Sequence, residues 1–168
     1  MKQLSFLDRT DDSTNTTVTQ WHLYVDGASR NNPGPAGAGA CLYKDGKVAF
    51  KKGHFLGKKT NNQAEYMALL MGLYYAQQKL PAGSPLSIFA DSELLVRQMN
   101  GVYKVRSPEL KPLQHMAYAM LNHFDYVIQH VFRAGNEQAD ALANEGIDKK
   151  IKLPQPFITL LIKHGITL

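Results

Sequence analysis

Between Leu23 and Ala40 the chain reads LYVDGASRNNPGPAGAGA. An apolar run, Leu23, Tyr24 and Val25, stops on a carboxylate, Asp26, and passes at once into a dense burst of Gly, Asn and Pro. The β-rich run predicts a strand and the burst predicts tight turns. A strand end entering a core holds a lone carboxylate badly, since taking the charge out of water costs several kcal/mol unless a cation or hydrogen-bond donors meet it. Whatever this chain folds into must supply a partner for Asp26.

The 168 residues suffice for one core and are short for two domains. Hydrophobic residues at 44% and charged residues at 20% let most of the chain fold unaided. Nineteen Lys and Arg against fourteen Asp and Glu leave a net +5, compatible with a polyanionic partner without establishing one. Cys41 is the single cysteine, set in an apolar segment; it can form no intramolecular disulfide and reads as a buried, inert thiol. The N-terminus lacks the apolar core of a signal peptide, and the longest apolar runs, ALL and FITLLI, are too short to span a bilayer. The expectation is a soluble, cytoplasmic protein with no membrane partner.

Residues 1–20 are rich in Asp, Thr, Ser and Asn and read as a flexible leader, residues 21–148 as the folded domain, and residues 149–168 as an apolar tail. WHLYVD predicts a strand, and GAGACLYKDGKVAFKKGHFLG a hairpin turning at Asp45-Gly46. NNQAEYMALLMGLYYAQQKL predicts a helix, with Tyr66, Leu69, Leu70 and Leu73 at helical spacing and Pro81 ending it. LSIFAD is a short strand that again finishes on an acid, Asp91. SELLVRQMNG predicts a helix capped by Ser92 and stopped by Gly101. SPELKPLQHMAYAMLNHF predicts a helix with Pro108 in its first turn, DYVIQHVF a strand, and NEQADALANEGI a short helix with Asn136 as cap. A hairpin meander followed by alternating β and α segments predicts an α/β fold, a mixed sheet with helices on its faces.

Asp26 and Asp91 end strands; Glu65 and Asp140 fall early in helices. In open α/β sheets, sites form beyond the carboxyl ends of parallel strands. If the two strands are neighbours their acids share one rim, and the helical acids can aim back towards it. Each acid also has a structural reading. Asp26 can begin a turn. Glu65 can close a capping box with Asn62, with Thr60 and Gln63 offering a second version of that box. Asp91 can cap the following helix, and Asp140 can be a surface acid. Singly, those readings lead; together they do not, because converging carboxylates repel one another and need a cation between them. An oxygen-only, acid-rich site suits Mg²⁺ or Mn²⁺. Two such ions, about 3.5–4 Å apart, suit in-line attack of water on a phosphodiester.

Four strings, YVDGASRNNPGPAGAG, TNNQAEYMALLMGL, FADSELLVRQMNG and NEQADALANEG, in that order, resemble the type 1 ribonuclease H family over about residues 21–148. The resemblance implies a ribonuclease H-like fold, a five-stranded mixed sheet with helices on both faces. It also implies endonucleolytic, two-metal hydrolysis of the RNA strand of an RNA/DNA hybrid, leaving 5′-phosphate and 3′-hydroxyl ends. Asp26, Glu65, Asp91 and Asp140 match the family's catalytic, metal-holding quartet. Asn32, Asn61, Asn62 and Gln63, with Gly27 and Ser92, match positions that touch the hybrid, where 2′-hydroxyls distinguish RNA from DNA. Glycines 27, 34, 37 and 39 are expected at turns and where backbone approaches the duplex.

The sequence departs from the family pattern in three ways. No His lies between His130 and Asp140, where many members carry one; His130 reads as a packed residue at a strand end. Arg133 stands in that interval as a phosphate contact rather than a proton carrier. The interval NGVYKVRSPELK is too short for the basic handle of well-studied members, yet offers Lys104, Arg106 and Lys111 beside Tyr103 as phosphate contacts. This resembles a compact, handle-free subgroup of archaea and some bacteria, which makes double-stranded RNA a second candidate partner. Third, Glu93 stands where relatives often have Gln, as a metal-perturbing charge or a first-turn acid favoured by the helix dipole. A hybrid-binding protein that has lost its chemistry, and a junction-cutting or strand-transfer relative, are the rival readings.

At the ends, QLSFL resembles the peptide by which bacterial repair proteins dock on the sliding clamp, making Gln3, Leu4, Phe6 and Leu7 candidate partner contacts. The tail IKLPQPFITLLIKHGITL is expected to pack back on the domain as a strand or extended arm, with self-association as its rival.

Overall fold

The computed structural model describes residues 18–168; the candidate clamp peptide, with Gln3, Leu4, Phe6 and Leu7, lies outside them. The chain opens with a meander, β1 (Trp21–Ser29), β2 (Gly34–Lys44) and β3 (Lys47–Lys59). Asp45 and Gly46 form the β2–β3 turn with φ of 49° and 79°, the two left-handed residues that a two-residue hairpin requires. Then follow α1 (Asn61–Gln77), β4 (Pro85–Ala90), α2 (Glu93–Met99), α3 (Lys111–Leu121), β5 (Asp125–His130), α4 (Glu137–Asp148) and α5 (Gln155–Lys163).

The five strands lie in the order β3-β2-β1-β4-β5. The first three pair antiparallel, while β1 with β4 and β4 with β5 are parallel. Val25 pairs with Ala90, so the next residues along these neighbouring strands are Asp26 and Asp91. The mixed sheet expected from the element order is present and the two acids are neighbours; Asp91 follows the end of β4, but β1 does not finish on Asp26 as expected, since Gly27, Ala28 and Ser29 go on pairing with Ala38, Gly37 and Ala36.

Helices cover both faces. Leu23, Val25 and Ala40 surround Gly72 of α1 on one face, while Gly37, Gly39 and Gly53 meet the backbone of α4 on the other. Ten residues of α1 are buried, including Tyr66, Leu69, Leu70 and Leu73; apolar on all sides, it is an internal helix rather than a surface one. Thr60 and Gln63 make its capping box, the second of the two versions considered, which leaves Glu65 free for other work.

Two local expectations need correction. α3 starts at Lys111 with Pro112 in its first turn, so Pro108 precedes the helix. The residues between α2 and α3 form neither helix nor strand. The tail is a helix, not a strand or extended arm: Phe157 and Leu161, four apart, are fully buried and Ile162 on the opposite side is exposed. Burial along one helical face decided this segment against the β-branched character of its sequence. Among the described residues no helix is long and apolar enough to cross a membrane, and Cys41 is buried as expected.

Candidate active site

Asp26 lies inside β1, paired with Gly39 of β2 just past the last parallel pair Val25–Ala90, with 4% of its surface exposed. Asp91 follows β4 next door, and Glu65, in the second turn of α1, reaches over from above the sheet. One carboxylate oxygen from each of Asp26, Glu65 and Asp91 lies within 4.8 Å of the others. Asp140, in the first turn of α4, lines the same cleft of about 740 Å³ without belonging to that tight trio. All four acids therefore open on one cleft, three in mutual contact and the fourth on its wall.

Close backbone packing sets the geometry. The Gly27 N–H donates to Glu65 Oε2 at 3.1 Å. Gly27 can do this because it has no side chain: a Cβ there would collide with the backbone of Ala64 and Glu65. On the other face a Cβ on Gly37, Gly39 or Gly53 would strike carbonyls of α4, so that helix, with Asp140, lies flush on the sheet. These glycines serve helix packing; the duplex-approach role expected of Gly37 and Gly39 is not where the structure places them.

The electrostatics answer the question raised by Asp26. Burial, then the charges of Glu65 and Asp91, hold its carboxyl far above the usual range. Burial first, then Asp91, pushes Glu65 up to about 8. Among the described residues no lysine or arginine pairs with the trio, and the ion pairs lie elsewhere. Three crowded carboxylates with no organic cation either keep protons or gather a metal. Their hard oxygen donors fit a divalent cation of the Mg²⁺ or Mn²⁺ kind.

The other predicted residues divide. Ser92, Asn61, Asn62, Gly27 and Arg133 line the cleft. Ser92 also caps α2, its Oγ accepting from Leu95 N at 3.2 Å. Asn61 accepts from Ser29 N at 3.1 Å and its own N–H donates to Asn32 Oδ1 at 2.9 Å, so Asn32 steadies the start of α1. Gln63 spends its carboxamide oxygen on Thr60 N and borders a separate groove with Met67 and Leu113. Lys104 and Arg106 lie exposed on the α2–α3 connection, off the cleft wall. Glu93 pairs with Arg97 at 2.7 Å across one helical turn, as a first-turn acid does.

Two expectations about side chains are overturned. His130 is exposed rather than packed: it lines the cleft, its Nε2 lies 3.2 Å from the Asp91 carbonyl oxygen, and its ring meets Phe132 edge-on at 5.7 Å. Asn136 sits at the cap position of α4 without capping it; its Nδ2 donates instead to Val25 O at 2.9 Å, tying α4 to the strand that carries Asp26. Sequence reasoning passed over Arg30, Asn144 and Phe132, all on the cleft wall. Only Asn144, one turn beyond Asp140 on the same helix, left a signal in spacing.

A cleft of carboxylates just past the last parallel pair of two adjacent strands, in a sheet ordered β3-β2-β1-β4-β5, defines the ribonuclease H-like class of domain. A family model described as reverse transcriptase-like matches residues 24–146. Ribonuclease HI of Halobacterium salinarum is 43% identical over 129 residues, 76% of this chain and 64% of that relative. The crystal structure of RNase H1 from that halophilic archaeon superposes with a TM-score of 0.74 at 42% identity, covering 77% of this chain and 98% of its own. LC11-RNase H1, solved in complex with an RNA/DNA hybrid, superposes with a TM-score of 0.73 at 38% identity over 77% of this chain and 98% of its own. The chain belongs to the type 1 ribonuclease H family. It spans 64% of the halobacterial relative and 35% of a bifunctional protein of Mycobacterium tuberculosis to which it is 41% identical.

Proposed function

We propose that the protein cuts the RNA strand of RNA/DNA hybrids endonucleolytically, leaving 5′-phosphate and 3′-hydroxyl ends. The observation that carries this reading is the trio Asp26, Glu65 and Asp91 within 4.8 Å, opening on a cleft walled by Asn61 and Asn62. Asp26, Glu65, Asp91 and Asp140 would hold two Mg²⁺ or Mn²⁺ ions. Such ions, when bound, supply an activated water and offset charge on the scissile phosphate. The side chains do the rest. Asp26 and Asp91 gather charge where β1 and β4 part, and Glu65, anchored by the Gly27 N–H, stands beside the asparagines. The Asn62 carboxamide can meet a ribose 2′-hydroxyl as donor and acceptor, which a deoxyribose cannot return. Arg133, exposed on the turn Arg133–Gly135 and lining the cleft, would meet a backbone phosphate.

The test is incubation of end-labelled RNA/DNA hybrid, double-stranded RNA and DNA junctions with Mg²⁺ or Mn²⁺, with Asp91→Asn as control. Cutting of the RNA strand of the hybrid alone, abolished in the variant, is the expected result. Cutting of double-stranded RNA as well would widen the substrate class. Binding of hybrid without cleavage by the unaltered protein would overturn hydrolysis.

A further inference from the structure

Two arginines line the cleft, and the second, Arg30, is the more firmly held. It sits in the β1–β2 loop, where its backbone N–H donates to Pro35 O at 2.9 Å. Its Nη1 lies 2.7 Å from Asp148 Oδ1 and its Nη2 donates to Asn144 Oδ1 at 3.3 Å. Asn144 in turn donates through Nδ2 to the Asp140 carbonyl oxygen at 3.0 Å. Asp140, Asn144 and Asp148 are spaced by four along α4 and so form one stripe. Arg30 is clamped against the end of that stripe.

Stability alone gives this clamp little purpose. The pair with Asp148 is 46% and 61% exposed at its two side chains, and such surface pairs contribute little in salt. Orientation is the larger consequence. A guanidinium carries five N–H donors in a rigid plane; Asp148 and Asn144 account for two and leave three. A phosphodiester chain crossing this cleft meets four carboxylates, and the metal ions that offset them act at the scissile linkage, not at the flanking phosphates. We propose that Arg30 binds a backbone phosphate of the hybrid beside the scissile one, held in its binding orientation by Asp148 and Asn144. This rests on the hybrid being the substrate.

Binding of a short fluorescein-labelled hybrid, followed by anisotropy across a KCl series in Mg²⁺, tests it, with Asp91→Asn in every arm to prevent cutting. Each phosphate neutralised contributes about 0.9 to the slope of log affinity against log salt, so Arg30→Ala should flatten that slope by about one. Arg30→Lys should keep the slope while weakening binding, since the ammonium retains the charge and loses the fork. Arg30→Gln, neutral but able to hydrogen-bond, should reproduce the flattening and stands in if the alanine variant does not fold. An unchanged slope in both neutral variants, with a lowered melting temperature, would overturn the contact and leave Arg30 as a tie between loop and helix. If the neutral variants flatten the slope but the protein with Asp91 intact cuts no RNA, the hydrolase reading falls and the phosphate contact stands.

Discussion

Asp26 is buried beside two like charges, and the consequence is measurable. Its carboxyl and that of Glu65 are raised in the folded protein, so the folded state binds more protons than the unfolded chain above the ordinary carboxylate range. Stability of the metal-free protein therefore falls as pH rises through the interval in which the cluster must ionise. Glu65, raised to about 8, and Asp26, raised further, carry that decline through neutral pH into the mildly alkaline region. His54, whose pKa is lowered chiefly by burial, acts with the opposite sign, costing stability as pH falls below its ordinary value. Cys41 and Tyr66, raised by burial, add a decline of the same sign above their own ordinary values, so the clean window lies between the ordinary histidine and cysteine values. There, the melting temperature in EDTA should decline with pH, Mg²⁺ should restore it increasingly, and Asp26→Asn should flatten the decline. Melts that ignore Mg²⁺ across this range would contradict a cation-holding trio. At this scale the four acids were legible because Asp91 follows a strand, Glu65 and Asp140 fall early in helices, and Asp26 stands where the apolar run stops, although β1 itself runs on to Ser29. Arg30 and Phe132 were not, since nothing in a loop's composition says which side of the chain faces a cleft; Phe132, 83% exposed, is evident only in three dimensions.

Elements carry the site through backbone contact, and glycine is where that contact is testable. Gly27 lets α1 approach β1 closely enough for its N–H to hold Glu65, and Gly39 lets α4 rest on β2. Gly27→Ala should displace the start of α1 and raise the Mg²⁺ concentration needed for half-maximal cleavage. Gly39→Ala should lift α4 and its Asp140, costing about 1–3 kcal/mol as overpacking does. Urea denaturation measures the second, and metal titration of hybrid cleavage measures the first. A Gly27→Ala protein with unaltered metal demand would show that the contact is ornamental to the site. The helix of residues 61–77 and the Asp45-Gly46 hairpin were legible from periodicity and turn chemistry. α5 was not: isoleucines and a threonine read as β, while Phe157 and Leu161 find their burial only when the segment coils.

On the scale of the molecule, the C-terminal segment closes the same core that supports the cleft from beneath. Phe55 N donates to Ile151 O at 2.7 Å, and the ring nitrogens of His54 lie 2.8 Å from Lys152 O and 2.8 Å from the Tyr75 hydroxyl. Phe157 then packs on Tyr74 with ring centroids 5.2 Å apart, and Leu153 and Leu161 join the buried cluster. The contacts of His54 and Phe157 with Tyr75 and Tyr74 lie at the far end of α1 from Glu65, ten residues and about 15 Å along the helix, while Gly165, Ile166 and Thr167 return to line a groove with Gln63 and Met67. Packing at one end and carboxylates at the other should thus be separable. Phe157→Ala, which empties a fully buried aromatic site, should cost about 3–5 kcal/mol. Its denaturation midpoint in urea should fall by a matching amount. Cleavage of hybrid at low temperature, normalised to folded protein, should remain near that of the unaltered chain, because the trio at the opposite end keeps its spacing. A variant that keeps its midpoint would mean that Phe157 does not hold the core, and one that loses turnover per folded molecule would mean that α5 is coupled to the cleft through α1 and not merely fastened to the core.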